Sequence, residues 1–196
     1  MWPYQTLRYA TKPNSRVQTE GNYNTIGVLL LKQQLKLEAD DTSEDTLLNA
    51  YLVSAIKQAE QYTRRVIDLS TWRSYLCGFY DVTLDVHPVT LSSIVVKYFD
   101  VDDAEQTLST SLYTVQNNGD NFAKIKFEGS LPSLSDMDEP VYIEYQAGYS
   151  TYPEWFVAPI LKRASDEYEM RTGQVSHSLN DVEWSFHRAL FPYKML

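Results

Sequence analysis

The chain has 196 residues, 43% of them hydrophobic and 22% charged, which suits one soluble domain with a sizeable core. Its formal net charge is −9, the wrong sign for tight wrapping of nucleic acid, which needs Lys and Arg to replace condensed counterions. Apolar runs such as Val28 to Leu31 stop at four residues, far from the roughly 20 that span a membrane, and the single cysteine, Cys77, excludes an internal disulfide or a cysteine-built metal site.

Residues 1–23 hold Pro3 and Pro13 and show no helical or strand period, so they read as an extended N-terminal arm that orders against a partner. The arm carries Arg8, Lys12 and Arg16 among polar residues and lacks the apolar centre of a secretion signal, so synthesis in a cytoplasm is expected. A first helix is predicted over 25–37, capped by Asn24 or Thr25, with Ile26, Leu30, Leu31 and Leu35 on one broad face. The acidic loop Glu38 to Asp41 ends it. A second helix is predicted over 43–67. Thr42 and Asp45 have the spacing of a capping box, and Leu48, Leu52, Ala55, Ala59, Tyr62 and Val66 recur at three- and four-residue steps. Glu60 and Arg64 suit an i,i+4 ion pair on its outer side.

After Asp68 the period changes to two, and a β region of about 75–146 is predicted. Val82, Leu84 and Val86 alternate with polar residues, and Leu91 to Phe99 is rich in β-branched and aromatic side chains. Leu112 to Val115 and Phe122 to Phe127 flank Asn117-Asn118-Gly119-Asp120, a hairpin signal, and Val141-Ile143-Tyr145 is a last strand ended by Gly148. Strands follow one another without helices between them, so the sheet should be antiparallel. Helix returns over 159–172, with Pro159 in its first turn and Gly173 placed to end it. Residues 174–183 read as a polar loop, and 184–196 as an aromatic segment that packs on its own domain or on a neighbour, so 174–196 forms a C-terminal tail. The expected fold class is α+β: a bundle of three main helices within residues 24–173, with the antiparallel β region inserted.

Residues 81–145 contain twelve acidic and three basic residues, so this segment alone accounts for the whole net charge. Two readings of the acidity stand side by side: solubility, and a wall past which DNA slides without sticking. The fifteen tyrosines and four tryptophans likewise suit either contact surfaces or core. No chemistry is legible. His87 reads as a strand-end surface residue, His177 and His187 lie in the C-terminal region, and Cys77 reads as a half-buried thiol. No H-E-x-x-H, P-loop or dinucleotide fingerprint occurs. Asp100-Val101-Asp102-Asp103 and Asp136-Met137-Asp138-Glu139 lack the glycine and distal Glu of a calcium loop and read as solvated turns. No enzyme, cofactor, metal or membrane partner is expected.

The order of these features resembles the head–tail connector proteins of tailed phages, also called adaptor or head-completion proteins. The likeness is carried by Asp45-x-Leu47-Leu48 and Ala59-Glu60-x-x-Thr63-x-Arg65 on the long helix, and by Thr71-Trp72, His87-Pro88-Val89 and Ile94-x-Val96-Lys97-Tyr98-x-Asp100. It continues in Gln106-x-Leu108, Tyr113-x-Val115 and Val141-x-Ile143-x-Tyr145-x-Ala147-Gly148-Tyr149, then Pro159-Ile160, Tyr168-x-x-Arg171 and Leu190-x-Pro192-Tyr193-Lys194, over roughly residues 25–195. The resemblance implies a virion neck protein. Copies would form a ring, commonly a dodecamer, that binds the portal protein and a stopper or tail protein and extends the channel for passing genomic DNA without specific binding. Another neck or tail-terminator ring subunit is the near alternative, and a small hydrolase the distant one.

The terminal segments are the expected assembly contacts, because their large side chains are costly to leave in water. These are Trp2, Tyr4 and Tyr9 with the cations Arg8, Lys12 and Arg16 at one end, and Trp184, Phe186, Leu190, Phe191 and Tyr193 at the other. The C-terminal tail is the first choice for the portal.

Overall fold

The computed structural model describes residues 13–21, 23, 26–117, 119, 122–170 and 179–195. Where one domain was expected, the chain divides into two compact units. A sheet unit is built from Met1–Glu20 and Leu69–Gly148, and a helical unit from Gly21–Asp68 and Tyr149–Leu196.

The sheet unit contains strands β1 (Asn14–Thr19), β2 (Ser70–Leu76), β3 (Val82–Thr83), β4 (Val95–Phe99), β5 (Glu105–Thr107), β6 (Tyr113–Asn117), β7 (Ala123–Phe127) and β8 (Val141–Ala147). They form a five-stranded sheet in the order β1-β2-β8-β4-β5 and a three-stranded sheet in the order β3-β7-β6. Every strand pairing is antiparallel, as the absence of intervening helices implied. The predicted hairpin pairs Tyr113 with Phe127 and Asn117 with Ala123, with Gly119 in its turn at φ 84°.

β1 lies outside the expected 75–146, and β2 begins before it, at Ser70. β1 occupies part of the predicted arm and pairs with β2 in the register Asn14–Tyr75 and Arg16–Arg73. It is an edge strand whose residues are almost all exposed, so it has no apolar alternation to read, and its ladder partners alone define it. In β2 the inward positions include Ser70 and Ser74. Ser74 bonds Tyr145 Oη at 3.0 Å and Ser15 Oγ at 2.6 Å, so polar residues occupy places where the pattern demands apolar ones. Burial pushes the Tyr145 phenol up to about 12. The unit's core gathers Leu76, Leu84, Val96, Ile125, Val141 and Ile143, all at most 1% exposed.

The helical unit contains α1 (Val28–Leu35), α2 (Asp45–Thr63), α3 (Glu154–Glu169) and α4 (Leu179–Leu190), with a 3-10 turn at Phe191–Tyr193. The described residues thus hold four helices where three were expected, the fourth inside the predicted tail. Leu31, Leu48, Leu52, Ile56, Phe156, Ile160 and Leu190 are fully buried in its core. Burying each such side chain is worth about 1.5–3 kcal/mol.

Helix ends depart from expectation for local reasons. The capping box does not form: α2 begins at Asp45, whose carboxylate pairs with Lys32 Nζ at 2.5 Å. The helix stops at Thr63 because Arg64 adopts the left-handed conformation, and Glu60 accepts a 2.7 Å bond from the Ile67 N–H in place of pairing with Arg64. α3 begins five residues before Pro159, leaving that proline inside the helix, because Phe156 in its first turn enters the core. Gly173 lies outside the described residues. Between α2 and β2, buried Asp68 accepts from the Tyr23 N–H at 2.7 Å and the Tyr152 hydroxyl at 2.8 Å. A β-carbon on Gly21 would overlap the Asp68 carboxylate.

Candidate assembly surfaces

α4 places the predicted C-terminal contact residues in two classes. Phe186 is 5% exposed and Leu190 fully buried, so both complete the helical unit's own core and leave the set of expected contacts. The guanidinium of Arg163 lies 5.8 Å from the Phe186 ring. Helical spacing explains the assignment: the two residues are four apart and share one helix face. Phe191, just past the helix end, is 68% exposed. Tyr193 stacks on Trp155 with centroids 4.0 Å apart, and its carbonyl accepts a 2.8 Å bond from Arg65 Nε. Met195 donates its N–H to the Thr63 carbonyl at 2.9 Å. These bonds fasten the chain's last described residues to the end of α2.

At this end of α2 the ring of His187 stacks on Tyr62 at 4.3 Å, and Lys194 Nζ stands 4.9 Å from the Tyr62 ring. Tyr62, His187, Arg188 and Phe191 line a groove of about 310 Å³. Arg188 and Arg64 are exposed here, so the groove is aromatic in its walls and basic at its rim.

The opposite end of α2 has another character. Leu29 and Leu30 on α1 are 54% and 41% exposed, and Leu47 on α2 is 38% exposed. Leu30 was expected on the buried face. A helix cannot turn four consecutive apolar residues inward, and in Val28–Leu31 it is Leu31 that reaches the core. The connecting loop exposes Lys36, Glu38, Asp40 and Asp41 and is drawn inward by Lys32, which donates to the carbonyls of Ala39 at 3.3 Å and Asp41 at 2.7 Å. Tyr168 donates its hydroxyl to Glu44 at 2.5 Å, which brings the C-terminal part of α3 to this end. Burial pushes the nearby Asp166 carboxyl up.

In the sheet unit, Arg16 is the one predicted arm contact among the described residues. It pairs with Glu139 at 3.3 Å, and its guanidinium lies 4.8 Å from the Tyr75 ring, so it serves first to hold β1 on the sheet. Trp2, Tyr4, Arg8, Tyr9 and Lys12 lie outside the described residues, as does the side chain of Trp184. Arg16, Tyr75, Cys77, Phe99, Met137 and Glu139 border an open depression of about 910 Å³.

Many of the acidic residues in 81–145 are engaged locally. Asp100 accepts from the N–H groups of Asp102 and Ala104 and from Gln106 Nε2, and these bonds, Gln106 foremost, hold its carboxyl below the usual range. Glu105 accepts from Tyr142 Oη at 2.5 Å and from Lys97 Nζ at 3.1 Å, which lowers its carboxyl, while burial raises the Tyr142 phenol. Arg73 and Glu144 pair at 2.8 Å across β2 and β8.

Cys77 is exposed, not half-buried. His87 is 8% exposed with its ring 4.3 Å from that of Phe122, a buried residue and not the surface one expected. His177 lies outside the described residues. Among the described residues no group of three His, Cys, Asp or Glu side chains could hold a metal ion, and no helix is long and apolar enough to cross a membrane.

No protein-family model and no curated protein matches the sequence. Solved structures do match the fold. A chain from the neck of an empty gene transfer agent (GTA) particle, computed with C6 symmetry, superposes with a TM-score of 0.73 at 18% identity, covering 93% of this chain and 95% of that one. A chain from the virion of a native GTA particle gives 0.69 at 19% identity, covering 93% and 96%. One from the neck of a native GTA particle, computed with C12 symmetry, gives 0.68 at 17% identity, covering 93% and 95%. Over nearly its whole length, the chain has the fold of chains found in the necks and virions of gene transfer agent particles.

Proposed function

We propose that this protein is a structural, non-enzymatic virion subunit of the neck. Copies form a closed ring, twelve-fold in the simplest case, that binds the portal vertex of a DNA-filled head and presents a platform for a stopper or tail protein. The observation that carries this reading is the shared fold over 93% of the chain with chains of particle necks, two of them computed with C6 and C12 symmetry. Ring formation needs two different, complementary faces on each subunit, and the unlike ends of α2 supply a pair.

In this reading the acidic sheet unit faces the DNA channel or solvent. Its carboxylates repel the phosphate backbone, so DNA passes without being held. Phe191, Tyr193 and Arg16, with the segment carrying Trp2, Tyr4, Arg8, Tyr9 and Lys12 and with Trp184, supply contacts to neighbouring proteins.

The test is the native mass of the purified full chain, alone and after incubation with portal-bearing heads. Rings of about twelve copies, free or captured on the portal, are the expected result. A protein that stays a single copy in both settings overturns the reading. Duplex DNA should produce no saturable gel shift at moderate salt, and tight binding mapped to residues 81–145 would remove the channel role.

A further inference from the structure

The helical unit is polar from end to end along one rigid element. Leu47 and Tyr62 stand fifteen residues apart on α2, about 22 Å at 1.5 Å per residue. At the Leu47 end Leu29 and Leu30 are exposed on α1, which is tied to the start of α2 by the Lys32–Asp45 pair, and the loop between the helices exposes the carboxylates of Glu38, Asp40 and Asp41 with the cation Lys36. Around Tyr62 the surface combines the groove and the projecting Phe191 ring with the cations Arg64, Arg188 and Lys194. Each end therefore pairs apolar surface with an excess of one sign of charge, three exposed carboxylates against Lys36 at the first and Arg64, Arg188 and Lys194 at the second, and the signs are opposite.

We infer that these two ends are the two halves of one copy-to-copy contact: the leucine-rich acidic end of one subunit seats on the aromatic, basic groove of the next. This rests on the ring reading above and specifies the surfaces that make it. A second copy is the occupant for two reasons. The chain itself provides the surface complementary in both charge and apolarity. A contact between unlike faces also leaves one of each free at either end of a growing assembly, as closure into a ring requires. An interface between two like ends would place Glu38, Asp40 and Asp41 against their own copies, where like charges repel. The apolar side chains supply the attraction, and the charges set direction and partner.

The test uses two charge-inverted full-length proteins. In the first, Arg188→Glu and Lys194→Glu make the groove acidic. In the second, Glu38→Lys and Asp40→Lys make the leucine end basic. All four side chains lie at the surface or only partly buried, so both proteins should keep the parent's circular dichroism and thermal transition. Each alone should lose assembly by tenfold or more in native mass measurements, because every contact joins like charges. Mixed in equal amounts, they should assemble again as alternating rings, since each groove then meets an end of opposite charge. Salt should weaken assembly of both the parent and the mixture.

If the parent assembles and either variant alone assembles equally well, the assigned surfaces are wrong and the ring reading stands. If both variants are folded and their mixture stays dissociated, the assignment is again overturned. If the parent itself remains a single copy, free and on portal-bearing heads, both the assignment and the ring reading fall. Phe191→Ala serves as an independent arm. It removes groove contact without altering charge, and undiminished assembly would count against the inference.

Discussion

The sheet unit and the helical unit solve the problem of charge in opposite ways. In the sheet unit the acidic residues are answered close by, through Gln106 and two backbone N–H groups at Asp100, Lys97 and Tyr142 at Glu105, and Arg73 at Glu144. In the helical unit, exposed Glu38, Asp40 and Asp41 outnumber Lys36 ahead of α2, and exposed Arg64 and Arg188 lie at its other end, beside exposed Phe191. Some of its other carboxyls are partly buried. Glu60 is raised chiefly by burial, with the charge of Asp68 adding to it and Lys57 opposing. Asp166 is likewise raised by burial, with Glu169 adding and Lys162 and Arg163 opposing. Carboxylates bonded locally and kept charged suit a surface that must not hold DNA, and segregation suits one that must choose a partner.

The largest effect that would sharpen this contrast comes from the core. Phe156→Ala should destabilise the helical unit by about 3–5 kcal/mol, since the ring is fully buried and its loss leaves a cavity. Hydrogen exchange read peptide by peptide should show lost protection in α2 and α3, with β8 and β4 retained. Equal loss in both units would mean that they unfold as one, and the comparison would break. Gly21→Ala should cost about 1–3 kcal/mol through overlap with Asp68, again in the helical unit. Thermal unfolding measures it, and a variant as stable as the parent would show that Asp68 shifts freely.

Tyr145→Phe should cost about 1–2 kcal/mol, because it removes the hydroxyl bonded to buried Ser74. Protection should fall in β2 and β8 and remain in α2.

The smallest effect has the most telling sign. Asp100 and Glu105 have lowered folded values, so their stabilisation is present above the unfolded carboxylate range and is lost as pH falls below about 4.5. Glu60 and Asp166 have raised folded values, so their contribution is fully present below the unfolded range and is lost as pH rises through the folded value. Asp41 in the helical unit is lowered as well, through its bonds from Ser43, but Glu60 and Asp166 oppose it there, so acidification from pH 6 to 4 should weaken the sheet unit relative to the helical one. Exchange protection compared at the two pH values checks this, and the reverse order would remove the electrostatic distinction between the units.

Much of the fold is visible in local pattern. The 3.6-residue recurrence from Leu48 to Ala59 places α2, because one buried stripe on a long helix repeats often enough to stand out. The antiparallel sheet follows from strands that succeed one another without room for a helical crossover, and the β6–β7 hairpin follows from Asn117 and Gly119. The excess of acid in 81–145 is likewise plain from composition.

Other decisions belong to contacts between residues distant in the chain. β1 has no apolar period because β2, some sixty positions later, recruits its backbone and the polar side chains Ser15 and Arg16. α4 reads as loop and tail in the sequence because Phe186 and Leu190 make only one helical step, too little repetition to mark a helix until the core receives them. That packing also separates Phe191 from them. An aromatic residue near a chain end has the same composition whether it fills a core or projects from it, and only the helix phase and the neighbouring Tyr62 determine which. The groove and the leucine-rich end are legible as residues and invisible as surfaces, because a surface exists only once the tertiary structure has decided what each side chain fails to bury.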